Sequence, residues 1–189
     1  MASTPFALPE LDAYRSYLIV LARGQISRSL QARLDASDIV QDTLLEAYRK
    51  RDQFEGGEDP RQLAGWLRQL LSCNLIDALR TQQREQRDVR REQALQQELD
   101  ESALGLDQLL AADESSPSQK LEKRFREVRV ANAIEALPVH QRDAIVMRYF
   151  QKLSLEDIAT QLQKTRPAAA GLLKRGLATL RERLSEEDP

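Results

Sequence analysis

Apolar positions recur at helical spacing through almost the whole chain, which predicts an all-α protein. The sharpest stretch is Leu153 to Leu184. Leu155, Ile158, Ala159 and Leu162 fall at i, i+3, i+4 and i+7, one apolar helical face. Ser154 stands at the N-cap, with Asp157 three residues on as a capping-box partner. Gln163-Lys164-Thr165 makes a short joint. Thr165 caps a second helix, and Pro167 is tolerated in its first turn, where amides have no intrahelical partner. That helix repeats the apolar spacing at Ala169, Leu172, Leu173, Gly176, Leu177 and Leu180, and its other face carries Arg166, Ala170, Gly171, Lys174 and Arg175. Two helices joined so tightly form the pattern of a helix-turn-helix, and also of a solvated amphipathic hairpin.

The remaining chain divides at its breakers. Residues 1 to 9 hold two prolines and form a loose lead-in. Leu11 to about Leu34 reads as a helix with Tyr14, Tyr17, Leu18, Leu21, Ile26 and Leu30 inward and a break at Gly24. Asp35-Ala36-Ser37-Asp38 opens the next helix with capping residues and acids at its positive end. Ile39, Val40, Thr43, Leu44, Ala47 and Tyr48 form its buried side. Ser37, Asp38, Gln41, Asp42, Leu45 and Glu46 form an acidic, amidic outer face. After a loop at Glu55 to Pro60, a helix from about Arg61 to Arg80 buries Leu63, Trp66, Leu67, Leu70, Leu71, Leu75, Ile76 and Leu79. Cys73 reads there as a small buried hydrophobe. A short helix within Leu95 to Leu110 precedes the breaker run Ser115-Ser116-Pro117-Ser118. Leu121, Phe125, Val128, Ala131, Ile134 and Leu137 then share a face, and Val139 to Gln151 offers Ala144, Ile145, Met147, Tyr149 and Phe150 for packing under the helix-turn-helix.

Charge changes this picture. The 189 residues carry a formal net charge of -2, which by itself does not suggest a nucleic-acid partner. The charges are segregated, however. From Lys164 to Arg183 the bases are Lys164, Arg166, Lys174, Arg175, Arg181 and Arg183 against Glu182 alone, while 92–123 is acidic. Basic charge at both ends of the last helix favours DNA. One cysteine and one histidine (His140) exclude an internal disulfide, a Cys- or His-based metal cluster and a Ser-His-Asp triad. No cofactor, metal or catalytic group is expected. Residues 1–20 lack a signal-peptide pattern and no segment is apolar enough to span a bilayer, so a cytoplasmic protein without membrane insertion is expected.

Two signatures, in order, resemble the small extracytoplasmic-function group of the sigma-70 family of bacterial RNA polymerase sigma factors. The first is Asp38-Ile39-Val40-Gln41-Asp42-Thr43-Leu44-Leu45-Glu46-Ala47-Tyr48 with Asp52-Gln53-Phe54, similar to region 2.2, followed by Trp66-Leu67-Arg68, similar to region 2.3. The second is Ala136-Leu137-Pro138, Gln141-Arg142, Arg148-Tyr149, Leu153 to Ala159 and Leu180-Arg181-Glu182, similar to region 4.

The resemblance implies a polymerase-binding face at Asp38, Gln41 and Asp42, with Leu44 or Leu45 as an apolar anchor, docking on the clamp coiled coil of the largest subunit. It implies −10 contacts from Arg61, Trp66, Arg68, Cys73, Asn74, Arg80 and Arg84, and −35 contacts from Thr165, Arg166, Ala168, Ala170, Gly171, Lys174 and Arg175. Family members carry asparagine seven residues after the tryptophan; here Cys73 holds that place and Asn74 follows. The flap of core polymerase and an anti-sigma protein are further implied partners. The domains expected are a region 2-like bundle at 1–91, an acidic linker at 92–117 that lies against the basic DNA faces, and a region 4-like domain at 118–189. The competing readings are a helix-turn-helix regulator acting without polymerase and a helical scaffold.

Overall fold

The computed structural model describes residues 8–26, 30, 33–56, 60–83, 94–103 and 126–186; they form helices, turns and coil, with no strand among them. The helices are α1 (Leu8–Asp12), α2 (Arg15–Gln25), α3 (Ala36–Arg49), α4 (Pro60–Gln83), α5 (94–103), α6 (Arg126–Glu135), α7 (Val139–Ile145), α8 (Leu155–Gln161) and α9 (Arg166–Glu186).

Helices α1 to α4 surround a core that includes Tyr17, Leu18, Leu21, Val40, Leu44, Leu67, Leu71 and Leu75. The start of α3 is fixed by Asp35, whose carboxylate accepts the Ser37 N–H at 2.8 Å. A smaller core of Ala144, Met147, Ile158, Ala159, Leu162, Ala169 and Leu172 holds α7, α8 and α9 together. Gly176 gives α9 a close approach to α7: a Cβ at that position would stand 2.8 Å from Ile145 Cδ1.

The helix-turn-helix is built as its sequence predicts. Ser154 Oγ accepts the Asp157 N–H at 3.1 Å while the Asp157 carboxylate accepts the Ser154 N–H at 3.3 Å, a complete capping box. The end of α8 is a Schellman motif, with Lys164 N–H bonded to Ala159 O at 2.9 Å and Gln163 N–H to Thr160 O at 3.1 Å. Its left-handed residue is Gln163, at φ 55°, where glycine is the usual occupant. Thr165 then caps α9, its Oγ accepting the Ala168 N–H at 3.4 Å.

Three local expectations are corrected. The helix expected to reach about Leu34 ends at Gln25, and Gly24 lies inside it rather than breaking it. Gly24 permits a close approach instead, since a Cβ there would sit 2.9 Å from Phe150 Cβ. The helix expected at Val139 to Gln151 widens at Val146–Phe150 into a π turn, which leaves Tyr149 39% exposed rather than packed. Cys73 is exposed, not buried. Of the acidic stretch at 92–117 only 94–103 is described. It is helical, where a short helix was expected within this stretch, and Leu99 and Ala103 lie in the main core. Leu121 and Phe125 lie outside the described residues.

The larger core does not stop at α4. It takes in Val128, Val130, Ala131 and Ile134 of α6, Phe150 of the π turn, and Leu180 and Leu184 of α9. Helix α2 therefore lies between α3 and α4 on one side and α6 and the π turn on the other.

The left-handed Gln163 supplies a stability test. Moving an L-residue out of this conformation relieves about 1–2 kcal/mol, offset by the greater freedom of glycine in the unfolded chain, so Gln163→Gly is expected to stabilise by roughly 0.5–1 kcal/mol. Ser154→Ala, which removes half of the capping box, is expected to cost about 1 kcal/mol. Urea unfolding of the full chain followed by circular dichroism checks both signs.

Candidate functional site

Helix α3 presents one outward stripe. Asp38, Gln41, Asp42 and Leu45 occur at i, i+3, i+4 and i+7 and are all exposed, Leu45 at 42%. Leu44, offered with Leu45 as an anchor, is 7% exposed and belongs to the core. Burial leaves Leu45 as the apolar residue this face can offer. Beside the stripe, Glu46 accepts hydrogen bonds from Lys50 Nζ and from Asn74 Nδ2. The Lys50 bond holds its carboxyl below the ordinary glutamate value, against partial burial and with help from Asn74.

The α4 residues separate into two sides. At about 100° per residue, Trp66, Cys73 and Arg80 fall on one side of the helix. Trp66 is half-buried and rests against Phe54, ring centroids 5.3 Å apart; Cys73 is exposed; Arg80 pairs with Asp77 at 3.2 Å. Asn74 turns toward α3, donating to Thr43 Oγ1 at 3.1 Å and Glu46 Oε2 at 3.0 Å. Thr43 is fully buried and also donates to Ile39 O at 2.8 Å, so Asn74 ties α4 to the middle of α3. Of the two neighbours at the expected pocket position, Cys73 is thus the outward one.

Arg68 lies about 200° around α4 from Trp66. It donates to Tyr17 Oη and to Asp100 Oδ1, both at 2.6 Å, and stands 4.0 Å from Glu127. Its guanidinium therefore joins α2, α4, α5 and α6, and the structure does not place it with Trp66, Cys73 and Arg80. Burial raises the Tyr17 hydroxyl above its ordinary value; Arg68 opposes this, and Glu127 adds to the rise. Arg61 is the second residue of α4, with its side chain outside the description, and Arg84 lies outside the described residues.

On α9, Arg166, Lys174 and Arg175 are exposed, and the surface between them is made by Ala168, Ala170 and Gly171. Arg166 Nε meets Glu156 Oε1 of α8 at 2.9 Å, both side chains well solvated. Such surface pairs are worth little, so this one yields readily to a stronger anion such as phosphate. Thr165 Oγ is committed to its cap.

These three surfaces occur in the order of a known pair of modules. The family model described as "Sigma-70 region 2" matches residues 11–85, and "Sigma-70, region 4" matches residues 127–180. The chain belongs to the sigma-70 family, in its extracytoplasmic-function group. It is similar to RNA polymerase sigma factor SigV of Bacillus subtilis (strain 168), at 25% identity over 154 residues, 82% of this chain and 78% of that protein. This sigma factor directs transcription initiation, with core RNA polymerase and promoter DNA as its partners.

Sequence reasoning missed Arg23, Glu135 and Gln151. Arg23 and Glu135 form a half-buried ion pair between α2 and α6, joined by Arg142 at 3.7 Å. Gln151 Nε2 donates to Arg23 O at 3.0 Å and Ile26 O at 3.3 Å. The available signal was the run Tyr17-Leu18-Ile19-Val20-Leu21-Ala22, apolar on every side of a helix.

The α3–α4 joint yields a prediction. Asn74→Ala leaves Thr43 and Glu46 without that donor and is expected to destabilise the sigma factor by about 1–2 kcal/mol. For Glu46, a carboxyl held lower in the folded state stabilises above the ordinary carboxylate range and loses that contribution as pH falls through its lowered folded value. The stability gap between wild type and Glu46→Gln is therefore expected to shrink from pH 7 toward pH 4, measured by urea unfolding at each pH.

Proposed function

We propose that α3 docks on the clamp coiled coil of the largest polymerase subunit, that the outward side of α4 captures the −10 element, and that α9 enters the major groove at the −35 element. The observation that carries the first part is the stripe Asp38, Gln41, Asp42 and Leu45. Three polar side chains around one exposed leucine make a small docking face with an apolar centre.

At the −10 element the chemistry is capture of unpaired bases. That requires a stacking or pocket surface and basic backbone contacts, for which Trp66 with Phe54, the outward Cys73 and the cation Arg80 are suited. Arg68 is left out of this set, because its donors are already engaged with Tyr17 and Asp100. At the −35 element Lys174 and Arg175 position α9 through phosphates, and Arg166 near its N-terminus reaches a base edge. The sigma factor works by binding rather than by a reaction of its own, in the cytoplasm where polymerase and DNA meet.

Asp42→Arg and Leu45→Ala are each expected to weaken core polymerase binding by about tenfold or more, about 1.4 kcal/mol, with the melting curve of the free chain unchanged. Leu44→Ala instead costs folding stability, about 2–4 kcal/mol. Co-elution titration with core enzyme, beside thermal melts, separates the two. Normal affinity in both Asp42→Arg and Leu45→Ala would defeat the docking proposal, and the chain would then be examined as a polymerase-independent DNA binder. Replacing Lys174 and Arg175 by alanine should lower the salt slope of promoter binding by roughly 1–2 in holoenzyme.

A further inference from the structure

Beside α5 lies a cavity of about 400 Å³, and none of its lining residues belongs to the α3 stripe, the outward side of α4 or the basic face of α9. Glu98 and Ser102 stand at i and i+4 on α5 and line it together. Gln25 and Gln161, the last residues of α2 and α8, line it as well. Phe150 and Leu153 supply apolar wall.

The polar groups here are unspent. Ser102 is only 8% exposed, yet its side chain makes no hydrogen bond among the described residues. Gln161 Oε1 is buried and has no hydrogen-bond partner. The side chains of Glu98 and Gln25 likewise pair with nothing among the described residues. Folded proteins satisfy nearly all their buried polar groups. Four unpaired ones around a single cavity, of a volume within the range of about 300–1,000 Å³ that suits small ligands, mark a place built to hold a polar molecule.

The lining also selects the chemistry. Lys152 is the cation on the cavity wall, and it is paired with Glu101 at 3.1 Å, so no free positive charge is offered to a phosphate or carboxylate. The Gln151 amide is committed to the carbonyls of Arg23 and Ile26. What remains is two carboxamides, one carboxylate and one hydroxyl beside a phenyl ring. A carboxamide sets a donor next to an acceptor, the pattern that pairs bidentately with the amino group and ring nitrogen of adenine. A carboxylate accepts from the exocyclic amine of a base. The ring of Phe150 and the side chain of Leu153 suit the flat, apolar face of such a molecule.

We infer that this cavity binds free adenine or an adenine nucleoside, with Gln25, Gln161 and Glu98 on its amino-bearing edge, the Ser102 hydroxyl as a further partner and Phe150 against the ring. The site depends on none of the polymerase or promoter contacts.

Calorimetric titration of the free, full-length chain with adenosine tests this. One adenosine is expected to bind per chain. Inosine, which carries a carbonyl in place of the amine, should bind about tenfold more weakly or worse, because the acceptors that face the amine then go unpaired. Adenosine monophosphate should bind no tighter than adenosine. Glu98→Ala and Gln161→Met are each expected to weaken adenosine binding by about tenfold, at unchanged helix content. Ser102→Leu fills the cavity and should abolish binding; if it fails to fold, the other two variants, at an exposed and a half-buried position, still decide. No adenosine binding at millimolar concentration, equal affinity for inosine, tighter binding of the monophosphate, or full affinity in both Glu98→Ala and Gln161→Met would overturn the assignment.

Discussion

Helix α2 is apolar on every side from Tyr17 to Ala22, and all six of those residues are buried. A helix of this kind is stable in water only with neighbours around its whole circumference. Burying a large aliphatic side chain contributes about 1.5–3 kcal/mol, so leaving the Ile19 and Val20 side wet would give up much of what a small helical bundle gains. The rest of the arrangement follows from that constraint. Helices α3 and α4 occupy one side, with Asn74 and Thr43 fixing their register. The other side takes α6 and the π turn. Two modules that match separate family models thereby share one continuous core.

Several polar groups at this junction find partners across it as well as within their own module. Arg68 is the clearest case, with partners on α2 and α5 and Glu127 of α6 nearby. A guanidinium that is half-buried needs several acceptors, because each donor left unmade costs about 1–3 kcal/mol. The same logic applies at the end of α2, where carbonyls without intrahelical partners are met by Gln151. Wherever these groups separate, water and counter-ions must replace the lost partners.

Much of the fold was legible because the signals were local. Ser154, Asp157, Thr165 and Asp35 sit where caps belong, and each makes the bond its position implies. The buried faces of α3 and α9 follow from 3.6-residue spacing, and the exposed stripe on α3 is its complement. What was not legible depended on contacts between distant segments. Gly24 looked like a helix break because glycine weakens helices, yet its missing side chain makes room for Phe150, far along the chain. Arg68 sits beside Trp66 in sequence, but adjacency in a helix places neighbours about 100° apart, and two steps put it on the opposite side. Cys73 and Asn74 could not be told apart by spacing alone. The hydrogen bonds of Asn74 to α3 distinguish them, and those bonds join residues 28 and 31 positions apart.

The recognition helix carries the last consequence of composition. Between Arg166 and Lys174 the face of α9 proposed to enter the groove is Ala168, Ala170 and Gly171, with no side chain able to make a bidentate bond to a base. On the proposed reading, hydrogen-bond readout at the −35 element rests on Arg166 alone, while alanine methyls favour contact with thymine methyls. Small side chains also let the helix backbone sit deep in the groove, which strengthens the phosphate contacts of Lys174 and Arg175 without adding sequence information. On the same proposed reading, affinity and specificity are divided between the two regions. In that proposal the basic helix anchors the duplex, and most of the choice among promoters falls to the −10 surface proposed for α4 around Trp66.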